Sequence, residues 1–326
     1  MADKEKLAEW LFNNRNALNL RAQVGSWVKD WLPGFEDIRI QIQVNGKFYE
    51  GRGISTDQDK SFLIAGAEAI ERAYCDNLAI HSNGVALHTN EESAKLNAKL
   101  ELLERDGFLC HFLTKTPFAN FNPPKDMNID FEQIKSRLQK KGVEISLKKV
   151  IYSSPQIVLC IARKKDGSNA FNSILGLGSH DDIKLSTAKA ITECLSNVVW
   201  RLEDSSESSL SLDEFKNKTI HRPMDHQKVY FGNDSELSLD WIFDSDNSQV
   251  INEVNTNIVI EFTPLKAGIS ILEDAPITVM RATSTQLQNI FYGPTILEKI
   301  NVHRLNQFTG ANVDETSINW MPHPIG

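Results

Sequence analysis

The chain has 326 residues, of which 41% are hydrophobic and 24% are charged, and its formal net charge is −8 at pH 7. Such a length and composition are typical of a globular protein whose core needs no disulfide staples. The negative charge argues against nucleic acid or an anionic membrane as the main partner, and no segment approaches the ~18 consecutive apolar residues of a membrane span.

The cysteines are scattered along the chain as Cys75, Cys110, Cys160 and Cys194. No pair has C-x-x-C spacing, which argues against a zinc ribbon or a redox dithiol. The N-terminus has no apolar stretch typical of a signal peptide. We therefore expect buried thiols and a cytoplasmic protein.

The N-terminal part of the chain predicts a helix followed by a β-hairpin. Residues 4–19 are expected to be helical, and the strict apolar–polar alternation of residues 38–44 predicts a half-buried strand. Asn45 and Gly46 favour a hairpin turn. Residues 47–54 are therefore expected to form the return strand.

Two long predicted helices follow, and each carries the motif Glu-x-x-Glu-Arg. The first copy ends at Arg72 and the second at Arg105. In each copy two carboxylates share one helix face beside apolar residues. Bare charges there need cations, and Mg²⁺ is the hard cation that oxygen ligands and phosphates share. The motif therefore predicts metal ligands, with a structural ion-pair network as the alternative; the four carboxylates are Glu68, Glu71, Glu101 and Glu104.

The middle of the chain predicts an amphipathic helix at residues 131–141 and strands at 144–152 and 156–163. The glycine-rich segment 175–180 precedes a third long helix, predicted at 183–202. A glycine-rich loop before a helix can cradle a phosphate, although a plain turn is the commoner explanation.

The last third of the chain contains two polar segments, 204–211 and 233–248, that we expect to be exposed loops. Strand-like segments lie at residues 250–262 and 276–282. The predicted fold class is α/β (α+β), with helices packed on largely antiparallel sheets in a single large domain.

Several short motifs, taken together in their order, resemble the YcaO family of ATP-dependent enzymes that modify peptide backbones. The resemblance spans nearly the whole chain. Its carriers are G-R-G at 51–53, E-A-I-E-R at 68–72, S-N-G at 82–84, E-L-L-E-R-D at 101–106, G-L-G at 176–178, T-E at 192–193 and P-H-P at 322–324.

The resemblance implies one YcaO-like domain over residues 1–326. Within it, residues 1–50 would supply the N-terminal helix and hairpin strand, residues 51–203 the helices that bind nucleotide and magnesium, and residues 204–326 a C-terminal sheet region with a proline-containing tail.

The implied cofactors are ATP and Mg²⁺. The four carboxylates of the repeated motif would bind Mg²⁺. The implied ATP-binding residues are Arg52, Thr89, Ser93, Arg105, Lys189 and Glu193. Azoline-forming relatives end in a proline-rich segment that reaches the catalytic centre, which implies a catalytic role for Pro322, His323 and Pro324, although the last proline of that segment is missing here.

Four positions depart from the family pattern. The family commonly has Ser at the place of Ile64, Asn at Thr89, an acid at Ser93 and Arg at Lys189. Lysine keeps the positive charge but loses the planar fork that grips phosphate. We therefore expect altered nucleotide affinity, with metal binding less affected.

By resemblance, the chain would phosphorylate the oxygen of a peptide amide after a nucleophile has added to the amide carbon. A Cys, Ser or Thr side chain as nucleophile would give an azoline, which is the favoured reading, and external sulfide would give a thioamide. A noncatalytic scaffold or regulator of an active partner is a further alternative. A metal-dependent phosphatase or nuclease needs only the carboxylates and leaves the ordered motifs unexplained.

The implied partners are a peptide substrate and a protein that presents the peptide to the enzyme. Self-association as a homodimer is also plausible. No partner of the nucleic-acid or membrane class is expected.

Overall fold

The computed structural model describes residues 2–152, 154–164, 171–203, 208–232, 237–245 and 258–325. Its helices are α1 Ala2–Asn13, α2 Val28–Trp31, α3 Gln58–Asn77, α4 Glu91–Thr114, α5 Phe131–Gln139, α6 Ile183–Glu203, α7 Leu212–Asn217, α8 Pro223–Lys228, α9 Asp240–Phe243 and α10 Val302–Thr309. Its strands are β1 Arg21–Gly25, β2 Glu36–Val44, β3 Lys47–Ser55, β4 Val85–His88, β5 Ala119–Asn120, β6 Val143–Lys149, β7 Gln156–Lys164, β8 Ser173–His180, β9 Glu261–Pro264 and β10 Thr278–Thr283.

Within the described residues the strands form three antiparallel sheets, in the orders β1-β2-β3, β4-β10-β9 and β5-β6-β7-β8. Long helices pack on these sheets, which confirms the predicted mixed α/β class with antiparallel sheets. The four cysteines are buried and free, as predicted. None of the described helices combines the length and the apolar character needed to cross a membrane.

The chain divides into two compact units. Unit 1 comprises Met1–Leu102 and Ile260–Ser284, and unit 2 comprises Leu103–Val259 and Thr285–Gly326. The predicted single domain over residues 1–326 stays a prediction.

Unit 1 contains the predicted hairpin of β2 and β3, with α3 packed on it. Asn45 and Gly46 have φ values of 50° and 79°, the left-handed conformations that a two-residue hairpin turn requires. Residues Ile38, Ile40 and Ile42 of β2 are buried in one core, as their alternation predicts.

Unit 2 is built on the sheet β5-β6-β7-β8 and the helix α6, which packs on β7 and β8. Its core includes the aromatic residues Phe108, Phe112 and Phe118 together with Ile157 and Leu177. The C-terminal part of α4 thus contributes to the core of unit 2.

The same strand–helix arrangement occurs once in each unit. The pattern G-x-G-x₇-S-x₃-A-x₂-E begins at Gly51 on β3 and returns at Gly176 on β8. A methyl group at Gly51 would lie 2.0 Å from the carbonyl oxygen of Ala65, and one at Gly176 would lie 2.3 Å from the backbone nitrogen of Cys194. In both places the missing side chain lets a helix backbone approach the strand closely.

Some predicted elements differ from the observed ones. The glycine-rich segment 175–180, predicted as a loop or turn, belongs to strand β8, where its glycines are needed for close packing of α6. The first helix ends at Asn13 rather than at residue 19 and gives way to turns. Residues 204–207 and 246–257, which include parts of the predicted loops and of a predicted strand, lie outside the described residues, as do 233–236.

Candidate functional site

The carboxylate of Glu68 is held at both of its oxygens within unit 1. Its Oε2 accepts a hydrogen bond from the backbone N–H of Arg52 at 2.7 Å, and its Oε1 pairs with Nη2 of Arg72 at 2.6 Å. Arg72 is itself fixed, because its Nη1 donates to the backbone carbonyl of Glu50 at 2.8 Å. Strand β3 and helix α3 together therefore set the orientation of Glu68.

The side chain of Arg52 is engaged by a buried carboxylate. Its Nε and Nη2 donate to the two oxygens of Asp37 at 2.9 and 2.7 Å. Asp37 is fully buried and also accepts a hydrogen bond from the indole of Trp27. The structure thus gives Arg52 a positioning role, since its N–H orients Glu68, and its role in binding ATP stays a prediction.

Thr89 and Ser93 lie at the beginning of α4. The hydroxyl of Thr89 is 3.4 Å from Nδ1 of His88, and the backbone N–H of Ser93 donates to Oδ1 of Asn90 at 2.8 Å. Both residues are partly exposed. Their predicted contact with ATP stays a prediction.

The other predicted residues of unit 1 lie on α3 and α4. Glu71 and Glu101 are both half-buried. Ile64 precedes Glu68 by one helical turn and is 39% exposed, so the family departure at this position places an apolar side chain on the surface beside a predicted metal ligand.

Unit 2 brings together Glu104, Arg105, Lys189 and Glu193. The Nζ of Lys189 lies 3.0 Å from Oε2 of the buried Glu104. The Oε2 of Glu193 accepts a hydrogen bond from the backbone N–H of Leu177 at 3.0 Å, just as Glu68 does from its own strand. The structure therefore brings these side chains together in unit 2, and their roles in binding ATP and Mg²⁺ stay predictions.

The surroundings of Glu193 raise the pKa of its carboxyl group to about 7. Desolvation by the surrounding protein is the largest cause, and the negative charge of Glu104 is the next; Lys189 and Arg105 act in the opposite direction. The Glu193 side chain keeps contact with solvent, so screening moderates the effect.

The donor chemistry of the predicted metal ligands fits Mg²⁺, because all four are carboxylates. Within the described ranges, no three His, Cys, Asp or Glu side chains are already gathered for a metal ion. Glu68 and Glu104 are each paired with a cation, Arg72 and Lys189 respectively. The metal-binding role of the quartet stays a prediction.

The C-terminal segment with the predicted catalytic residues Pro322, His323 and Pro324 is buried in unit 2. The hydroxyl of Tyr230 donates to the carbonyl of Pro322, and the hydroxyl of Thr295 donates to the carbonyl of Met321 at 3.1 Å. His323 is fully buried, so the proposed catalytic role would have to be exerted from an enclosed position.

His226 contacts this C-terminal segment through a hydrogen bond and through ring stacking. Its Nδ1–H donates to the carbonyl of His323 at 2.9 Å, and its Nε2 accepts from the N–H of Gly293 at 2.9 Å. The two imidazole rings stack with centroids 4.1 Å apart, and His323 donates from Nε2 to the carbonyl of Phe291 at 2.5 Å. Burial lowers the pKa of His226 to about 2 and that of His323 to about 4, so both rings are neutral at pH 7.

Sequence reasoning missed a buried ion pair directly behind the second motif. Asp106 follows Arg105 and is fully buried; its carboxylate accepts from Nε and Nη2 of Arg304 at 3.1 and 2.6 Å. It also accepts from the N–H of Gln288 at 2.7 Å and from the hydroxyl of Tyr152 at 3.2 Å. The only sequence signal was the acidic residue itself, because its partners lie far along the chain.

A family model described as "YcaO cyclodehydratase, ATP- and Mg²⁺-binding" matches residues 67–260. This stretch contains the two acidic motifs as well as Lys189 and Glu193. The comparison with curated proteins gave no significant match.

Several solved structures share the fold. A YcaO protein from Methanopyrus kandleri, solved with AMPPCP and Mg²⁺, has a TM-score of 0.58 and 11% identity, and the match covers 87% of this chain and 91% of that one. A heterocyclase solved with substrate and cofactor has a TM-score of 0.68 and 11% identity, over 98% of this chain and 57% of that one. The E. coli microcin synthetase complex McbBCD gives a TM-score of 0.50 at 10% identity, over 77% and 85% of the two chains. At these identities the likeness establishes the fold.

Proposed function

Because the chain belongs to the YcaO family, we propose that it uses ATP and Mg²⁺ to activate backbone amides of a peptide by phosphorylation. The favoured product is an azoline, formed when a Cys, Ser or Thr side chain closes onto the preceding amide carbon. The observation that carries this proposal is the family match over residues 67–260, which includes most of the predicted ligands.

When bound, ATP would supply the phosphoryl group that captures the amide oxygen as it becomes negatively charged, and Mg²⁺ would offset the charge of the phosphates. The carboxylates of Glu68, Glu71, Glu101 and Glu104 would hold the metal ions, with Glu68 oriented by the N–H of Arg52. Lys189 adds positive charge beside Glu104, and both Lys189 and Arg105 act electrostatically on Glu193. Preorganised charges of this kind stabilise a transition state in which negative charge develops.

Azoline and thioamide formation differ in what the peptide loses and gains. In azoline formation the amide oxygen leaves with phosphate, so the peptide loses the elements of water. In thioamide formation external sulfide replaces the oxygen. Mass spectrometry of the product peptide separates the two outcomes.

The partners follow from the same proposal. The McbBCD synthetase is a complex of several chains, and one heterocyclase neighbour was solved with its substrate. We propose that a second protein presents the peptide to this chain and that a homodimer is a further possible assembly. The use of ATP agrees with a cytoplasmic location.

A noncatalytic role is the second candidate. It is favoured by the ion pairs of two side chains that are predicted to bind ATP, because Arg52 already pairs with Asp37 and Lys189 with Glu104. Such a chain would keep the fold while supporting an active partner.

Calorimetric titration of ATP with Mg²⁺ into the purified protein tests the proposal. The matched control is the double variant Glu71→Gln, Glu104→Gln, which keeps the side-chain shapes and removes two charges. We expect binding that requires Mg²⁺ and is lost in the variant. Absence of binding in the folded wild type, with its partner supplied, would favour the noncatalytic role.

A further inference from the structure

We propose that the outer edge of strand β1 in unit 1 docks an extended peptide, which adds to the sheet as a further strand. The occupant is taken to be the substrate peptide, so this inference rests on the proposed function. It names the surface that would hold the peptide and the side-chain pattern that this surface selects.

The open backbone groups of β1 follow from the hydrogen-bond pattern of the sheet. The N–H of Arg52 points out of the sheet to Glu68, so the pair Arg39–Arg52 is not a hydrogen-bonded pair. In an antiparallel sheet, a residue that faces away from one neighbouring strand bonds to the other. Arg39 therefore bonds to Gln23 on β1, its partner in the register.

The alternation then leaves Ala22 and Val24 with their N–H and C=O groups directed away from β2. The N–H of Gln43 donates to the carbonyl of Leu18 at 2.7 Å. Because the backbone groups of Gln43 and Arg39 point to the same side of β2, this bond agrees with the assignment of Arg39 to the β1 side. In the part of the chain that the structure describes, no backbone group pairs with the outer edge of β1.

The opposite edge of the same sheet is covered. On β3 the N–H of Arg52 is bound by Glu68 and the carbonyl of Glu50 by Arg72, both from α3. Unprotected edges are the places where strands add. Strand β1 is thus the edge of this sheet that can accept a strand.

The side chains of β1 indicate what kind of peptide fits. Ala22 and Val24 are paired with Ile40 and Ile38, whose side chains are buried, yet Val24 is itself 53% exposed. An added strand would cover this apolar strip with alternate apolar side chains.

The other face of β1 carries a positive charge at its edge. Arg21 on β1 and Arg39 on β2 are exposed on this face, whereas the exposed carboxylate of Glu50 lies farther from the edge, on β3, and accepts a hydrogen bond from Gln41. Acidic residues between the apolar ones would therefore be favoured. The surface fits a peptide in which acidic and apolar residues alternate.

A second copy of the chain fits this edge less well than a peptide. A five-residue strand is about 17 Å long, and the two outward residues can form only a few hydrogen bonds with a partner strand. A stable protein–protein interface buries roughly 800 Å² on each side. The edge suits a short extended segment.

The strand also leads towards the predicted metal ligand of unit 1. Gly25, at the end of β1, lies opposite Asp37, and Asp37 binds the guanidinium of Arg52. The N–H of Arg52 in turn orients Glu68. A peptide on β1 would therefore be aligned with the segment that positions this carboxylate.

The test is fluorescence anisotropy with a labelled peptide that alternates glutamate and valine, measured without ATP. Ala22→Pro removes an outward N–H without breaking the ladder to β2, a position where proline is tolerated. Val24→Lys is the second variant, because lysine on an edge opposes strand addition. Phe48→Lys, at a site 50% exposed on β3 of the same sheet, is the matched control.

We expect a loss of affinity of about tenfold or more in both β1 variants and none in the control. N-methylation of alternate peptide residues should have the same effect as the protein variants. Unchanged affinity in Ala22→Pro and Val24→Lys, or no binding to the wild type, would overturn the inference.

The calorimetric ATP titration distinguishes this failure from failure of the proposed function. If the protein binds Mg²⁺ and ATP but does not bind the peptide, only the proposed docking site is rejected. If the protein binds the peptide but does not bind ATP, the proposed function is rejected and the docking site is retained.

Discussion

The ammonium of Lys189 lies 3.0 Å from the buried Glu104 and presents a point charge where the YcaO family commonly carries a guanidinium. The identity of Glu104 could be predicted from the spacing of the acidic motif. Its pairing with Lys189 could not, because 85 residues separate the two. Likewise, the engagement of Arg52 by Asp37 depends on the hairpin register, which brings the two strands side by side.

We predict that Lys189→Arg tightens the binding of Mg²⁺ and ATP by about three- to tenfold, since a guanidinium can bind phosphate with two parallel hydrogen bonds. Calorimetry measures the change. The control is Lys184→Arg on the same helix, where the lysine pairs with the exposed Asp126. An equal effect of both substitutions would contradict the prediction.

Helix α4 is held in place by a buried ion pair on the side that faces away from the predicted ligand Glu104. Successive residues of a helix are turned by about 100°, so Asp106 lies roughly opposite Glu104. The bond of Asp106 to Arg304 therefore sets the rotation of α4. The sequence predicted a long helix that carries the second acidic motif, but it could not reveal an anchor formed with α10.

Elements with regular patterns were predicted best. The hairpin β2–β3 was predicted from its alternation and from Asn45-Gly46. The prediction of a loop or turn in place of β8 was wrong, because seven of the eight residues of this strand are buried. A strand buried on both faces has no alternation to read. Its glycines, typical of loops, here serve close packing.

We predict that single removal of either partner of the Asp106–Arg304 pair destabilises the protein by about 3 to 5 kcal/mol, because the remaining charge stays buried. The apolar double variant Asp106→Leu, Arg304→Met should instead be close to wild type in stability. Urea unfolding measures the free energies, and calorimetry should still show weaker binding of Mg²⁺ and ATP in the double variant, because α4 has lost its anchor.

Two other outcomes for the double variant would contradict this prediction. If the double variant is as unstable as the single variants, the pair stabilises the fold directly. If it is stable and binds the nucleotide as well as the wild type, Asp106 has no positioning role.

At the scale of the whole molecule, the two units differ in their buried histidines. His111, His226 and His323 all belong to unit 2, and burial lowers the pKa of each: His111 and His323 to about 4, and His226 to about 2. Among these histidines the sequence marks only His323, through the P-H-P motif, and it does not reveal the neutral state, which results from tertiary burial. The repetition of the strand–helix arrangement in the two units was equally missed, since the recurring residues are few and widely spaced.

We predict that acid destabilises unit 2 before unit 1. The unfolded chain takes up protons on histidine near its ordinary pKa of about 6.5, while the folded rings stay neutral. Stability is therefore full above that value and falls as the pH drops towards the lowered folded values. Hydrogen exchange with mass spectrometry, which resolves the two units, should show earlier exposure of unit 2.

His226→Asn is the matched variant for this prediction. An asparagine amide can still donate to the carbonyl of His323, but it does not titrate. Its unfolding free energy should fall less steeply between about pH 6.5 and pH 4. A pH profile identical to that of the wild type would show that His226 does not contribute.

The four glycines at positions 51, 53, 176 and 178 also limit how the chain can evolve. Added methyl groups there would lie between 1.9 and 2.3 Å from backbone atoms of α3 or α6. Any codon change that alters a glycine adds such a group, so in a saturation mutagenesis library all four positions should be depleted of every other residue. Neutral drift is thereby directed to the helix surfaces, where the two copies already carry different residues such as Ile64 and Lys189.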